Sequence, residues 1–231
     1  MNVTKRLTGI SSMATRSLLH EFCARFEQES GIVVAIEAVG GVDAAKRVHA
    51  GEVFDVVVLA SEAIDKLIAA KRIIAGSKVD VARSGVALAV RTGGPHPAID
   101  SEDALRQAVR AARTVGYSTG PSGVALVKLF ERWGISDEIK DRVVQATPGV
   151  PVGSLVAKGA VELGFQQLSE LLHVHGIDIL GPLPPAAQIT TVFSGGVCVA
   201  ARDPEAARVF LNFTISPATD DAKRRQGMEP A

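Results

Sequence analysis

"RLTGISSMATRSLLHEFCARFEQESGIVVAIEAV", residues 6–39, decides the fold class. It opens as a short strand, "RLTGIS", and turns through two serines that carry no charge. A helix follows over 15–30, in which Leu18, Leu19, Phe22 and Phe26 recur at helical spacing. Gly31 stops that helix, and "IVVAIEAV" (32–39) is a β-branched strand ended by Gly40-Gly41. Strand, turn, helix and strand in this order form one unit of a parallel sheet covered by helices.

The same rhythm runs outward from it. "DAAKRVHAG" predicts a helix ending at Gly51, and "FDVVVLA" (54–60) a strand buried on both faces. "SEAIDKLIAAKRI" predicts the next helix and "GVALAVRTG" (85–93) the next strand. Residues 92–103, "TGGPHPAIDSED", are rich in Gly, Pro and polar groups and read as a crossing segment. The alternation then resumes: a helix at 102–113, "TVGYST", "GPSG", a helix over 123–133, a strand "RVVQA", a helix "VGSLVAKGAV" and a strand "ELGFQQ". "IDILGPLP" and "TTVFSGGVCVA" add strands, with "PLPPAAQ" (182–188) between them as the return crossing. "PEAARVFLNFTIS" is a helix with Pro204 in its first turn, and "DDAKRRQGMEPA" a polar helix ending in a turn, with "AKRR" (222–225) a solvated face. The expectation is an α/β protein of two lobes, 1–84 with 190–231 and 85–189, with a ligand cleft between them.

The totals narrow the partner. A chain of 231 residues can build two small cores. Lys+Arg and Asp+Glu balance at 25 each with no dense basic stripe, which points away from nucleic acid. Aromatics at 4% argue against base-stacking platforms. Cys23 and Cys198 read as buried free thiols, and no Cys/His spacing suits zinc; His173 and His175 read as a loop pair. No metal and no cofactor is expected. No apolar run reaches transmembrane length, and "MNVTKR" (1–6) is not followed by an apolar leader. A cytoplasmic location follows as the sequence stands, and a periplasmic one if a leader has been removed.

In an open α/β sheet ligands bind at the carboxyl ends of strands, where helices begin. Four strand ends are small and polar: Ser11-Ser12, Gly40-Gly41, Ala60-Ser61, and Ser118 to Gly123 with Ser122 inside it. Each delivers a helix start, whose free N–H groups and positive dipole end attract an anion without any lysine. The ordinary role of such residues is capping, and their joint appearance at successive strand ends is what favours a site. In "GFQQLSE" (164–170) the adjacent glutamines point to opposite faces, so either one, Gln167 or its neighbour, is set to meet a ligand, or one caps the next helix and the other is exposed. Arg83 reads either as a surface arginine, the more ordinary role, or as a guanidinium set to bind a carboxylate. No nucleophile–base pair emerges; His20 and His49 read as structural. Asp43, placed as an N-cap, is the first candidate for proton transfer.

These strand ends, together with "GGVDAAKRVHAGEVFDVVVLAS", "PSGVALVKLFERWGI", "VAKGAVELGF" and the closing "FTISPATDDAKRRQGMEPA", resemble the molybdate-binding periplasmic proteins of ABC importers, in the type 2 periplasmic-binding-protein superfamily. The resemblance spans nearly the whole chain. It implies a two-lobed fold, a small anionic ligand and, if the protein is exported, an ABC importer permease as partner. It carries binding roles to Ser12, with Ser11 beside it, to Ala60, with Ser61 beside it, to Ser122, and to a backbone donor near Gly149 or Val150. Two positions depart from the pattern: a family serine falls at Gly41 or Val42, and the family tyrosine falls at Gln167. Loss of two hydroxyls and gain of an amide suit a planar carboxylate or a mixed polar ligand better than a tetrahedral oxyanion. The superfamily also holds enzymes that keep the fold, aconitate isomerase among them. The leading expectation is capture of a small oxyanion or carboxylate; the alternative is an isomerase or lyase acting on a small di- or tricarboxylate.

Overall fold

The computed structural model describes residues 5–231. Part of the charged start on which the leader expectation rests, residues 1–4, lies outside the described residues. The chain divides into two units. One takes the chain up to Arg83 and again from Val192 to Ala231; the other is Ser84–Thr191.

In chain order the elements are β1 (Arg6–Ser12), a one-turn 3-10 segment (Met13–Thr15), α1 (Arg16–Ser30), β2 (Val33–Val39), α2 (Gly41–His49), β3 (Val56–Ala60), α3 (Ser61–Ala69) and β4 (Val79–Arg91). Then come α4 (Glu102–Ala111), β5 (Val115–Tyr117), α5 (Pro121–Arg132), α6 (Ser136–Ile139), β6 (Val143–Gln145), α7 (Val152–Ala157), β7 (Leu163–Gln167), α8 (Leu168–Leu171) and β8 (Ile177–Pro182). The chain closes with β9 (Thr190–Val197), α9 (Pro204–Thr214), α10 (Asp220–Arg225) and β10 (Glu229–Pro230).

In the first unit the strands lie in the order β2-β1-β3-β9-β4. β1 runs parallel to β2 and β3, with Ser12 opposite Val39 and Ser11 opposite Val58. α1 ends where expected because Gly31 takes the left-handed conformation at φ 72°, and its N–H bonds the Glu27 carbonyl. Leu18, Leu19, Phe22 and Phe26 face inward from α1, and Phe26 meets Phe210 of α9 edge-on at 5.2 Å between ring centroids. Buried Asp55 ties the unit together. Its carboxylate accepts from the Thr8 N–H at 2.7 Å, the Thr8 hydroxyl at 3.1 Å and the Arg202 N–H at 2.7 Å.

In the second unit β5 lies between β6 and β7, parallel to both, and β7 pairs antiparallel with β4. β8 pairs antiparallel with β4 as well. Val86, Leu88, Val90, Leu105, Phe130 and Phe165 belong to this unit's own apolar core. Glu102 joins α4 to α5 by accepting from the Trp133 indole at 2.6 Å.

Five expectations need correction. The sheet is mixed rather than parallel: β9 runs antiparallel to β3. The rhythm that signals parallel strands fails there because β8 and β9 are joined by a short Pro185–Ala187 turn and no crossover helix. The chain passes between units inside extended strands, at 83/84 in β4 and 191/192 in β9, not in the Gly/Pro-rich stretches 92–103 and 182–188. Asp43 is not the N-cap of α2; Gly40 is, and Asp43 lies in the first turn. The closing turn is followed by β10, which pairs with β4 through Glu229 opposite Arg83. Lys223 of "AKRR" is buried, because Asp220 one turn earlier accepts from its ammonium at 3.1 Å.

Candidate functional site

The parallel register brings the ends of β1, β2 and β3 to one edge of the first unit. Ser11 and Ser12 stand there, and a Cβ placed on Gly41 would lie 3.5 Å from Ser12 Cβ. Both serines are buried. The Ser11 hydroxyl donates to the Ser12 carbonyl at 3.3 Å, and the Thr15 hydroxyl to the same carbonyl at 3.1 Å. Ser12 Oγ has no hydrogen-bond partner despite its burial. A buried hydroxyl left alone costs free energy, so a position that keeps one calls for a functional explanation.

The helices that start at this edge carry no side-chain caps. α2 starts from Gly40 and α3 from Ala60, neither with a side-chain cap, so their first N–H groups are open to a ligand. α5 in the second unit also starts without a side-chain cap, from Gly120, but its first residue, Pro121, has no N–H and the Gly123 N–H is held by the Gly120 carbonyl at 3.0 Å. Side chains cap α4 and α9, where Ser101 accepts from Ala104 N–H and Asp203 from Ala206 N–H, while α1, α6, α7, α8 and α10 start without one, as α2, α3 and α5 do. The capping role weighed against a site at Gly40-Gly41, Ala60-Ser61 and Gly120 therefore does not operate there.

In the second unit Tyr117 is opposite both Gln145 and Phe165, so the ends of β5, β6 and β7 share an edge. Gly123 fixes the "GPSG" turn. A Cβ there would fall 1.8 Å from the Ser118 carbonyl oxygen, so the close approach of α5 to Ser118 requires glycine. That approach sets the Ser118 and Ser122 hydroxyls 3.5 Å apart. Gly149 takes φ 80°, and the Val150 N–H is occupied by the Thr147 carbonyl at 2.9 Å, which leaves Val150 without a free backbone donor.

Both glutamines at the end of β7 are buried, Gln166 and Gln167 at 2% and 3% exposure. Gln166 works on the structure: its Oε1 accepts from Gly153 N–H at 3.2 Å and its Nε2 donates to Glu170 Oε1 at 2.9 Å. Gln167 Nε2 donates to Thr191 Oγ1 at 2.8 Å, while its Oε1 has no partner. Glu170 and Thr191 escaped the sequence reading. The i, i+4 spacing of Gln166 and Glu170 was a visible signal; the Gln167–Thr191 bond, spanning 24 positions, left none. Burial pushes the Glu170 carboxyl up to about 7, against the Gln166 hydrogen bond, which lowers it.

Arg83 is exposed, and its Nε donates to the Pro230 carbonyl at 3.0 Å. Asp43 is exposed, 4.0 Å from Lys46 Nζ. His20 and His49 are exposed on α1 and α2. Cys198 is buried and Cys23 half-buried; burial pushes both thiols up to about 12. Among the described residues no cluster of His, Cys, Asp or Glu could hold a metal ion, and no helix is long and apolar enough to cross a membrane.

Two α/β units linked through strands, with uncapped helix starts and buried unpaired hydroxyl and amide groups, define a protein built to receive a small solute. The chain belongs to the bacterial extracellular solute-binding protein family, whose model matches residues 7–229. It has the fold of the type 2 periplasmic-binding-protein superfamily. It is 36% identical over 230 residues to a protein named aconitate isomerase from Pseudomonas sp., covering 97% of this chain and 87% of that one. Among solved structures it is similar to the periplasmic molybdate-binding protein of Azotobacter vinelandii, with a TM-score of 0.79 at 20% identity, covering 96% of this chain and 98% of that one. The sulfate-binding protein SubI from Mycobacterium tuberculosis H37Rv is similar at a TM-score of 0.80 and 17% identity, covering 98% and 87% of the two chains.

Proposed function

We propose that this protein binds a small organic di- or tricarboxylate and moves its double bond by an allylic proton shift. The observation that carries the reading is the charge-free donor set at the strand ends of the first unit: buried Ser12 with an unpaired hydroxyl, at the edge where α2 and α3 start without a side-chain cap. Neutral donors suit a carboxylate, which accepts several hydrogen bonds and needs no counter-ion when a helix dipole supplies positive potential. The 36% identity to a protein named aconitate isomerase supports an organic acid and a rearrangement of it.

In such a shift a base removes a proton from the methylene beside the double bond. The electron pair moves across three carbons, and a proton is returned to the far carbon. Atoms and electrons balance without a redox partner. Negative charge builds on the conjugated carboxylate, and preorganised N–H donors are suited to stabilise it. Asp43, in the first turn of α2, is the proposed proton carrier. Incubation with cis- and trans-aconitate in deuterium oxide, followed by NMR, tests this. Interconversion with deuterium at the migrating position supports it. Saturable binding without exchange over a long incubation reduces the protein to a binder.

A second reading is capture of an inorganic oxyanion without turnover, with an ABC importer permease as partner if the chain is exported. Its support is structural likeness to the molybdate- and sulfate-binding proteins. Micromolar molybdate or sulfate that raises the melting temperature, where carboxylates do not, selects this reading.

A further inference from the structure

Buried side-chain atoms without a partner are rare in native proteins, and each asks for a reason. Among the described residues such atoms occur on Ser12, Ser84, Ser136, Gln167 and Ser169. Three of the five fall in one part of the second unit. Val86 of β4 is opposite Gln167 of β7, and alternation along β4 puts Ser84 on the same sheet face as Val86. Ser84 is therefore the diagonal neighbour of Gln167, within reach of one bridging group. Ser169 follows Gln167 by two residues, in the first turn of α8, which starts where β7 ends. Exposure is 1% at Ser84, 3% at Gln167 and 6% at Ser169.

We infer that Ser84, Gln167 and Ser169, with Thr191 holding the amide, form a buried neutral subsite that takes one carboxyl group of the substrate. The inference rests on the carboxylate reading above and deepens it: of the two or more carboxyl groups of such an acid, one is held here by neutral donors alone. The chemistry fits. Two serine hydroxyls donate. The Thr191 hydroxyl both donates and accepts, so the Gln167 amide can turn over and present Nε2 while Oε1 accepts from Thr191. Three neutral donors then meet one carboxylate, which offsets the cost of burying it without a cation. A lone tetrahedral inorganic anion has no second group to fill this subsite.

Isothermal titration of the wild type, Ser84→Ala, Ser169→Ala and Thr191→Val with propionate, succinate, propane-1,2,3-tricarboxylate, sulfate and molybdate tests the assignment. The expected result is wild-type preference for succinate or the tricarboxylate over propionate by about 10-fold or more. Each alanine variant then loses about that factor for the polyacids and none for propionate. Equal losses for every ligand, or no loss from variants that melt like the wild type, overturn the subsite and leave the carboxylate reading standing. Binding of sulfate or molybdate alone overturns both. Should the serine variants fail to fold, Thr191→Val frees the amide without emptying the subsite, and the same selective loss is required of it.

Discussion

Gln167 Nε2 donates to Thr191 Oγ1 at 2.8 Å, and this bond leaves the other end of a 97% buried amide without a partner. The pair joins the end of β7 to the last residue of the second unit. Replacing Gln167 by Ala is expected to weaken carboxylate binding about 10-fold or more, the range of a hydrogen bond to a charged group. Gln167→Glu keeps the shape and adds a negative charge, so it is expected to weaken binding further at pH 8. Titration of both variants with one polyacid checks the order of the two effects.

Ser12 predicts opposite signs for stability and binding. Its Oγ is buried and unpaired, so Ser12→Ala removes an uncompensated polar atom. The gain is expected to be about 1 kcal/mol, or roughly 2–4 °C in melting temperature for a chain of this size. Ligand affinity falls in the same variant. A variant that melts lower and binds equally well would assign Ser12 to packing.

Gly123 has no substitute. Gly123→Ala drives a methyl into the Ser118 carbonyl, and the backbone of the turn must move. A loss of about 1–3 kcal/mol is expected, with reduced ligand affinity because Ser118 and Ser122 are displaced together. Urea unfolding measures the first effect and titration the second.

Glu170 predicts a pH dependence. Burial raises its carboxyl from 4.5 to about 7 in the folded protein. The folded state therefore holds the proton more tightly than the unfolded state. Its contribution is full below about 4.5 and is lost as pH rises through 7. Glu170→Gln keeps an acceptor for Gln166 Nε2 and removes the titration, so its melting temperature is expected to vary less between pH 4.5 and 8 than that of the wild type. Parallel slopes for the two proteins would place the pH dependence elsewhere.

Asp55 is a structural counterpart to these site residues. Its carboxylate accepts from Thr8 twice and from Arg202 N–H, at the junction of β1, β3 and the turn before α9. Asp55→Ala strands two backbone N–H groups and is expected to cost about 2–5 kcal/mol. Urea unfolding checks the loss, which is expected to leave the affinity of the folded fraction intact.

The sequence by itself determined the class of fold. Helical spacing in α1, the β-branched strands β1 to β3 and the glycine stop at Gly31 are local, and local preference and burial agree there. It also marked the uncapped starts at Gly40, Ala60 and Gly120, because small residues at strand ends are visible in one dimension. Tertiary structure decided what depends on distant pairing. β9 slots antiparallel beside β3, the unit boundaries fall inside strands, and Lys223 is buried against Asp220. It also decided which polar groups stay unpaired. Ser84, Gln167 and Ser169 look like ordinary polar residues until the pairing of β4 with β7 and the reach of Thr191 show which atoms have partners, because hydrogen bonding across 24 or more positions leaves no trace in local spacing.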